Sequence, residues 1–301
     1  MVAASLFGEK DKNIKQLERS LSLKISARGN ILYISGSEAQ RAKNILENLI
    51  LIVKDNRTVD NEEIEAAIRL SKNKNLDKIK NIFIKTPRKK ILPRSIAQSK
   101  YIKALRNNIL TFGLGPAGTG KTYLAVAEAV EKISMGEVEK IILSRPAVEA
   151  GEQLGFLPGD LKDKIDPYLI PLYDALGDCM SREKVSKMIE KGKIEIAPLA
   201  FMRGRTLSHS FIILDEAQNT SAMQMKMFLT RLGKESKMVI TGDLTQVDLP
   251  KSNISGLHEA IKVTKSLKDV AHIHFMEQDV IRHTLVTEIV KSYKKIALLN
   301  N

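Results

Sequence analysis

Two hydrophobic rhythms divide this chain. In residues 1–70 helical and strand spacings alternate over short distances. Ile14, Leu17 and Leu21 recur at the interval of an amphipathic helix. Leu23–Ala27 and Ile31–Ser35 read as two strands around the turn Arg28-Gly29-Asn30. Ser37, with Gln40 three residues on, predicts a capped start for a longer helix burying Ala39, Ala42, Ile45, Leu49 and Ile52. Asp60 and Glu63 cap one more short helix through Ile64 and Ile68. From residue 95 to the end the rhythm changes to apolar runs separated by helical stretches: Ile109–Leu114, Lys140–Ser144, Lys193–Ala197, Phe211–Asp215, Lys237–Thr241 and His272–Phe275. Strands so continuously apolar are covered on both faces, which predicts a parallel α/β sheet. Between the two rhythms, residues 71–94 read as a linker, since Pro87 and Pro93 disfavour helix.

The first apolar run of the sheet leads into Gly115, Pro116, Ala117, Gly118, Thr119, Gly120, Lys121 and Thr122, after which Tyr123, Val126, Val130 and Ile133 mark one face of a helix. Strand, glycine loop and helix in that order make a phosphate loop. The glycines let backbone N–H groups and the helix N-terminus face a polyphosphate. Lys121 adds charge at the β- and γ-phosphates, and the Thr122 hydroxyl can hold Mg²⁺. ATP with Mg²⁺ is the expected ligand. A second run, Phe211–Leu214, ends in Asp215 and Glu216. A strand end of this kind places Asp215 at the Mg²⁺ hydration shell and Glu216 where it polarises the attacking water. Val239–Gln246 ends the next strand with Thr241, Asp243 and Gln246, which read as γ-phosphate sensors or, for the last two, as a capped turn. Gln98, seventeen residues before Gly115, can reach an adenine edge; Tyr101 fits either base stacking or core packing. The Gly- and Pro-rich stretch Glu149–Asp160 reads as a loop over the site.

Charge adds a candidate partner. The formal charge is +13, and from Lys72 to Lys103 eleven basic residues stand against Asp77 alone. Such a run favours a polyanion by counterion release, or serves as a solvated linker. At 301 residues and 43% hydrophobic, the chain can bury cores for about two domains. No apolar run approaches the ~20 residues of a membrane span, and the first residues lack a signal-peptide pattern. One cysteine, Cys179, allows no internal disulfide, so a reducing cytoplasm is expected. The five histidines show no ligand-type pairing beyond His272 and His274 sharing a strand face, so no structural metal is expected; Met223, Met225 and Met227 read as packing residues.

Residues 1–70 resemble a KH RNA-binding module, with Gly8-Glu9-Lys10-Asp11 at the position of its G-x-x-G loop. The second glycine is absent and two acids are present, so an RNA clamp and a docking or oligomerisation unit both stay open. Residues 95–301 resemble a PhoH-like ATPase, carried by the phosphate loop, Ser144–Glu152, Ala197–Thr206, Asp215–Asn219 and Thr241–Pro250. The resemblance implies a RecA-like P-loop NTPase domain similar to the first motor lobe of superfamily 1 helicases, acting in RNA metabolism on single-stranded RNA. A single lobe further implies a homo-oligomeric ring, a hexamer by that resemblance, with an arginine finger from a neighbour. Arg203, Arg205 and Arg282 are the candidates, Arg282 foremost, while Arg145 is a candidate for RNA or phosphate contact. A YbeY-type endoribonuclease is the implied partner. A nucleotide-switched adaptor without motor activity is the alternative function; a small-molecule kinase fits less well, because Asp215 and Glu216 activate water.

Overall fold

Strand β1 (Lys24–Arg28) pairs antiparallel with β2 (Ile31–Ser35), Arg28 opposite Ile31, as the alternation requires. Helix α1 (Val2–Phe7), which the hydrophobic spacing does not announce, precedes α2 (Lys12–Leu21). Helix α3 (Ala39–Lys54) starts two residues after Ser37, and Gln40 Nε2 lies 3.4 Å from Asn44 Oδ1, along the helix and not back at its start. Asp60 does cap α4 (Asn61–Ser71): its Oδ1 accepts from the Glu63 N–H at 2.9 Å. Leu6, Leu17, Ala42, Ile45, Leu49 and Ile64 are buried together with these helices. The computed structural model describes residues 2–29, 31–54, 59–71, 82–146, 161–249 and 255–281, with residues 286, 289 and 292. Its two compact units are Met1–Ile82 with Pro93–Ser99, and Phe83–Leu92 with Lys100–Asn301.

At Gly8 the left-handed φ of 72° and close packing both demand glycine, since a Cβ would lie 2.8 Å from the Asn13 side chain. Asn13 is itself buried and donates to the carbonyls of Leu6 and Val59 at 3.0 and 3.2 Å. The glycine of this loop is therefore accounted for by packing.

Of the expected linker, residues 72–81 lie outside the described residues, including Lys72, Lys74, Lys78 and Lys80. The rest is ordered by pairing of β3 (Ile84–Lys85) with β4 (Lys90–Ile91). This hairpin belongs to the larger unit, whereas Pro93–Ser99 belong to the smaller, so helix α5 (Ile96–Asn107) contributes to both.

The larger unit holds a six-stranded sheet, all parallel. Its strands are β5 (Leu110–Leu114), β6 (Lys140–Arg145), β7 (Ile194–Pro198), β8 (Ser210–Leu214), β9 (Lys237–Gly242) and β10 (Val270–His274), in the order β10-β5-β9-β8-β6-β7. Each expected apolar run thus becomes a strand, and β5 and β8 are buried along their whole length. Helix α6 (Lys121–Ser134) is buried at every position from Leu124 to Glu131, more than the single face the spacing predicted. Neighbouring α7 (Leu161–Cys179) and the β3–β4 hairpin cover the side that periodicity leaves to solvent. Helices α8 (Arg182–Glu190), α9 (Ala222–Leu229) and α10 (Gly256–Thr264) complete the unit. Phe112, Ile212, Leu214, Ile240, Phe228 and Leu257 form the main core. Met225 joins that core and Met227 packs on it, while Met223 is exposed. His272 stacks on Phe112 and bonds Thr264 Oγ1 at 2.9 Å; burial, then neighbouring His274, push its pKa down.

Candidate nucleotide site

Parallel strands all end on one edge of the sheet, and there the phosphate loop, Asp215 and Thr241 meet. Nucleotides bind at such carboxyl edges in open α/β sheets. Gly115, Gly118 and Gly120 have φ of 135°, 80° and 82°. Gly115 is also required by crowding: its Cβ would stand 2.3 Å from the Phe275 carbonyl. Gly120 is the residue before α6 and offers no side-chain cap to the first amides of that helix. An anion at this position satisfies them, so the loop fits a polyphosphate. Lys121 Nζ folds back on the loop, donating to the carbonyls of Gly115 and Pro116 at 2.6 and 2.8 Å. Thr119 Oγ1 donates to the Pro116 carbonyl at 2.9 Å, closing the same turn.

Asp215 follows β8 directly and is buried, 4% exposed. Its N–H continues the ladder by donating to the Ser144 carbonyl at 2.9 Å. Its Oδ1 accepts from Thr122 Oγ1 and from Thr241 Oγ1, each at 2.6 Å. Two hydroxyls on one carboxylate oxygen bring the helix after the loop and the adjoining strand β9 to one point. The donor set, a threonine hydroxyl and a carboxylate, suits a hard oxygen-binding cation such as Mg²⁺. Glu216 stands next in the chain with a left-handed backbone, φ 52° and ψ 39°. Its Oε2 accepts from Gln218 Nε2 at 2.6 Å, and Arg145 Nη2 is 3.3 Å from Oε1. The amide oxygen of Gln218 accepts from the Asp243 N–H at 3.0 Å. Gln218 carries no role in the sequence pattern alone; its place two residues after Glu216 is the signal that points to it.

The third motif behaves first as a turn. Asp243 Oδ1 accepts from the N–H and the hydroxyl of Thr245 at 2.9 and 2.7 Å, and the Gln246 N–H donates to the Asp243 carbonyl at 3.1 Å. Asp243 is buried, and its Oδ2 has no hydrogen-bond partner among the described residues, whereas Gln246 is exposed. Gln98 is buried at the start of α5, its Oε1 accepting from the Arg94 N–H at 2.6 Å and its own N–H donating to Ser95 Oγ at 3.2 Å. Tyr101 is a core residue, fully buried and edge-on to Phe275, not a surface for a base. Arg205 makes a two-point pair with Glu195 at 2.5 and 2.7 Å, while Arg203 is exposed. Arg282 lies outside the described residues; Ile281 just before it donates its N–H to the Gly118 carbonyl at 2.9 Å. The stretch Glu149–Asp160 also lies outside them.

Tertiary structure redistributes the basic run. Lys89 pairs with Asp178, and Arg94 with Glu63 at 3.4 Å, both acids remote in sequence. Lys90 Nζ sits 4.1 Å from the Phe83 ring centroid. Asp178 also accepts from the Tyr123 hydroxyl at 2.8 Å, and although burial opposes its charge these donors hold its carboxyl below the ordinary range.

Among the described residues no helix is long and apolar enough to cross a membrane. A sequence model described as PhoH-like protein matches residues 90–294, and one described as IstB-like ATP binding protein matches residues 24–144. The chain is 47% identical over 300 residues to a PhoH-like protein of Bacillus subtilis (strain 168), spanning 97% of this chain and 94% of that one. It is 43% identical over 300 residues to a PhoH-like protein of Synechocystis sp., spanning 97% and 92%. Protein PhoH of Escherichia coli (strain K12) is 43% identical over 205 residues, 67% of this chain and 58% of that one. With its parallel sheet and phosphate loop, the chain belongs to the PhoH-like family of ATP-binding P-loop proteins.

Proposed function

We propose that the protein hydrolyses ATP and couples hydrolysis to the binding and remodelling of single-stranded RNA. The observation that carries the hydrolytic part is the buried Asp215 oxygen shared by Thr122 and Thr241, with Glu216 beside it. Backbone N–H groups of Gly118, Thr119, Gly120 and Lys121 bind the phosphates, and the Lys121 ammonium exchanges its loop carbonyls for phosphate oxygens. Thr122 and Asp215 would hold Mg²⁺. Bound there, the ion neutralises charge developing on the phosphate oxygens. Glu216 orients the attacking water and takes its proton. Asp243 and Gln246 sense the γ-phosphate from the end of β9, and Arg282 supplies the finger. Coupling to RNA is supported by the basic segment, whose four lysines between residues 72 and 80 have no acid among them except Asp77. The family resemblance adds a hexameric ring, a YbeY-type endoribonuclease partner and a cytoplasmic setting to the proposal.

Steady-state ATPase of the wild type and of Glu216→Gln, with and without single-stranded RNA and at low and high salt, tests it. Loss of the general base should lower turnover about 10²- to 10⁴-fold, and RNA stimulation should weaken with salt. Turnover unaffected by Glu216→Gln would overturn the hydrolytic assignment. Hydrolysis indifferent to RNA would replace the coupled enzyme with the nucleotide-switched adaptor.

A further inference from the structure

Arg145, the last residue of β6, is engaged at both arms of its guanidinium. Nη1 donates to the Tyr168 carbonyl in α7 at 2.8 Å, and Nη2 lies 3.3 Å from Glu216 Oε1. On the far side of the same carboxylate, Gln218 donates to Oε2 while accepting from the backbone beyond β9. Glu216 is therefore held between two anchors, one on α7 and one at the edge of the neighbouring strand. Its backbone is left-handed, a conformation that a residue other than glycine keeps only where its surroundings impose it. Its side chain is 35% exposed. A cavity of about 520 Å³ opens there, lined by Thr122, Arg145, Asp174, Asp215 and Glu216. The planar fork of arginine suits two acceptors on different elements; a lysine ammonium on its flexible stem does not hold them in fixed relation.

We infer that Arg145 is the positioning residue of the catalytic carboxylate, fastening Glu216 to α7 so that the place of that helix sets the place of the general base. The inference rests on the hydrolytic reading of Glu216. A displacement of about 1 Å at a reacting group can cost on the order of 10²-fold in rate, so a small movement of α7 reaches the chemistry through this one side chain. The contacts of Arg145 run to Tyr168 and Glu216, so its removal should act on Glu216 and leave nucleotide affinity largely in place.

Arg145→Met and Arg145→Lys, each in wild-type and Glu216→Gln backgrounds, provide the test. The expected result is a fall in kcat of about 10- to 100-fold with KM for ATP within about twofold, for both substitutions. In the Glu216→Gln background neither should lower the residual rate further, because the group through which Arg145 acts has been removed. Amide hydrogen exchange of the full chain without nucleotide gives a readout free of turnover. Exchange in α7 from Tyr168 onward should be faster in Arg145→Met and in Glu216→Gln, by about the same factor. Unchanged exchange in both variants, or a kcat effect of equal size in the two backgrounds, would overturn the inference. Wild-type turnover independent of Glu216 would instead overturn the hydrolytic assignment, while the exchange comparison still decides whether Arg145 ties Glu216 to α7.

Discussion

Replacing Arg106 by methionine should expose how strongly the helix behind the phosphate loop depends on a buried ion network. Arg106, near the end of α5, donates from Nε to both oxygens of Glu128 at 3.1 and 3.2 Å, and from Nη2 to Glu131 Oε2 at 2.7 Å and the Phe83 carbonyl at 2.6 Å. Glu131 completes the link by accepting from the Lys85 N–H at 2.5 Å, which fastens the β3–β4 hairpin to α6. The Glu128 side chain is 0% exposed. Burial pushes its carboxyl above the ordinary range, and Arg106 offsets part of that rise. For Arg106 itself burial opposes the charge, but Glu128 and Glu131 outweigh it, leaving the guanidinium above its ordinary value. Removing one partner of a buried pair costs about 3–5 kcal/mol, because the other charge is left in the interior.

The pH dependence has a definite sign. A carboxyl raised above its unfolded value contributes stability that is complete below about pH 4.3 and is lost as pH rises through the folded value. Arg106→Met raises the folded value of Glu128 further, so the variant loses more at neutral pH than in mild acid. Urea unfolding should show a deficit of about 3–5 kcal/mol at pH 7.5 and a clearly smaller one near pH 5. Circular dichroism is the suitable probe, since the chain has no tryptophan. Adding Glu128→Leu to Arg106→Met should recover part of the loss by removing the more deeply buried of the two carboxylates left unpaired. A deficit below about 1 kcal/mol, or one equal at both pH values, would refute the reasoning.

Two further outcomes follow from buried groups near the site. The Tyr101 hydroxyl has no hydrogen-bond partner among the described residues, and burial, with Asp215 adding to it, drives its pKa well above the ordinary value. Tyr101→Phe should therefore be neutral or stabilising by up to about 1 kcal/mol in urea unfolding, with KM for ATP unchanged; a loss beyond about 1 kcal/mol would reveal a bond made by that hydroxyl. Burial, then the charge of Asp178, pushes the Cys179 thiol up to about 12. Iodoacetamide at pH 8 should alkylate the folded protein at least about 100-fold more slowly than the urea-unfolded chain, because the thiolate is the nucleophile; comparable rates would contradict the burial of this residue.

The legible parts of this molecule are those encoded over a few neighbouring residues. The phosphate loop could be read because glycines at fixed spacing before Lys121 and Thr122 constrain the backbone locally. The strands could be read because β8 is apolar at all but Ser210 and β5 carries only Thr111 as a polar residue, which follows from being covered on both faces. The β3–β4 hairpin escaped notice because each of its strands has two residues, too few for any period to show. The spacing of α6 shows one buried face because periodicity carries no information on what packs against the opposite side. The charge excess between Lys72 and Lys103 counted only acids nearby in sequence, so it missed Asp178 opposite Lys89 and Glu63 opposite Arg94.

By itself, then, the sequence determined the strands of the larger sheet, the glycine loop and the acids that end β8, since each depends on bonded geometry or on burial of a continuous run. Only the tertiary structure decided which side chains share an atom. Thr122 and Thr241 reach Asp215 from 93 and 26 residues away, and Arg145 reaches Tyr168 and Glu216 on two separate elements. Those meetings follow from the strand order β10-β5-β9-β8-β6-β7, which seats β5 and β8 on either side of β9 and brings β6 alongside β8. Strand order is a property of how packed layers close around a core, and no local spacing along the chain records it.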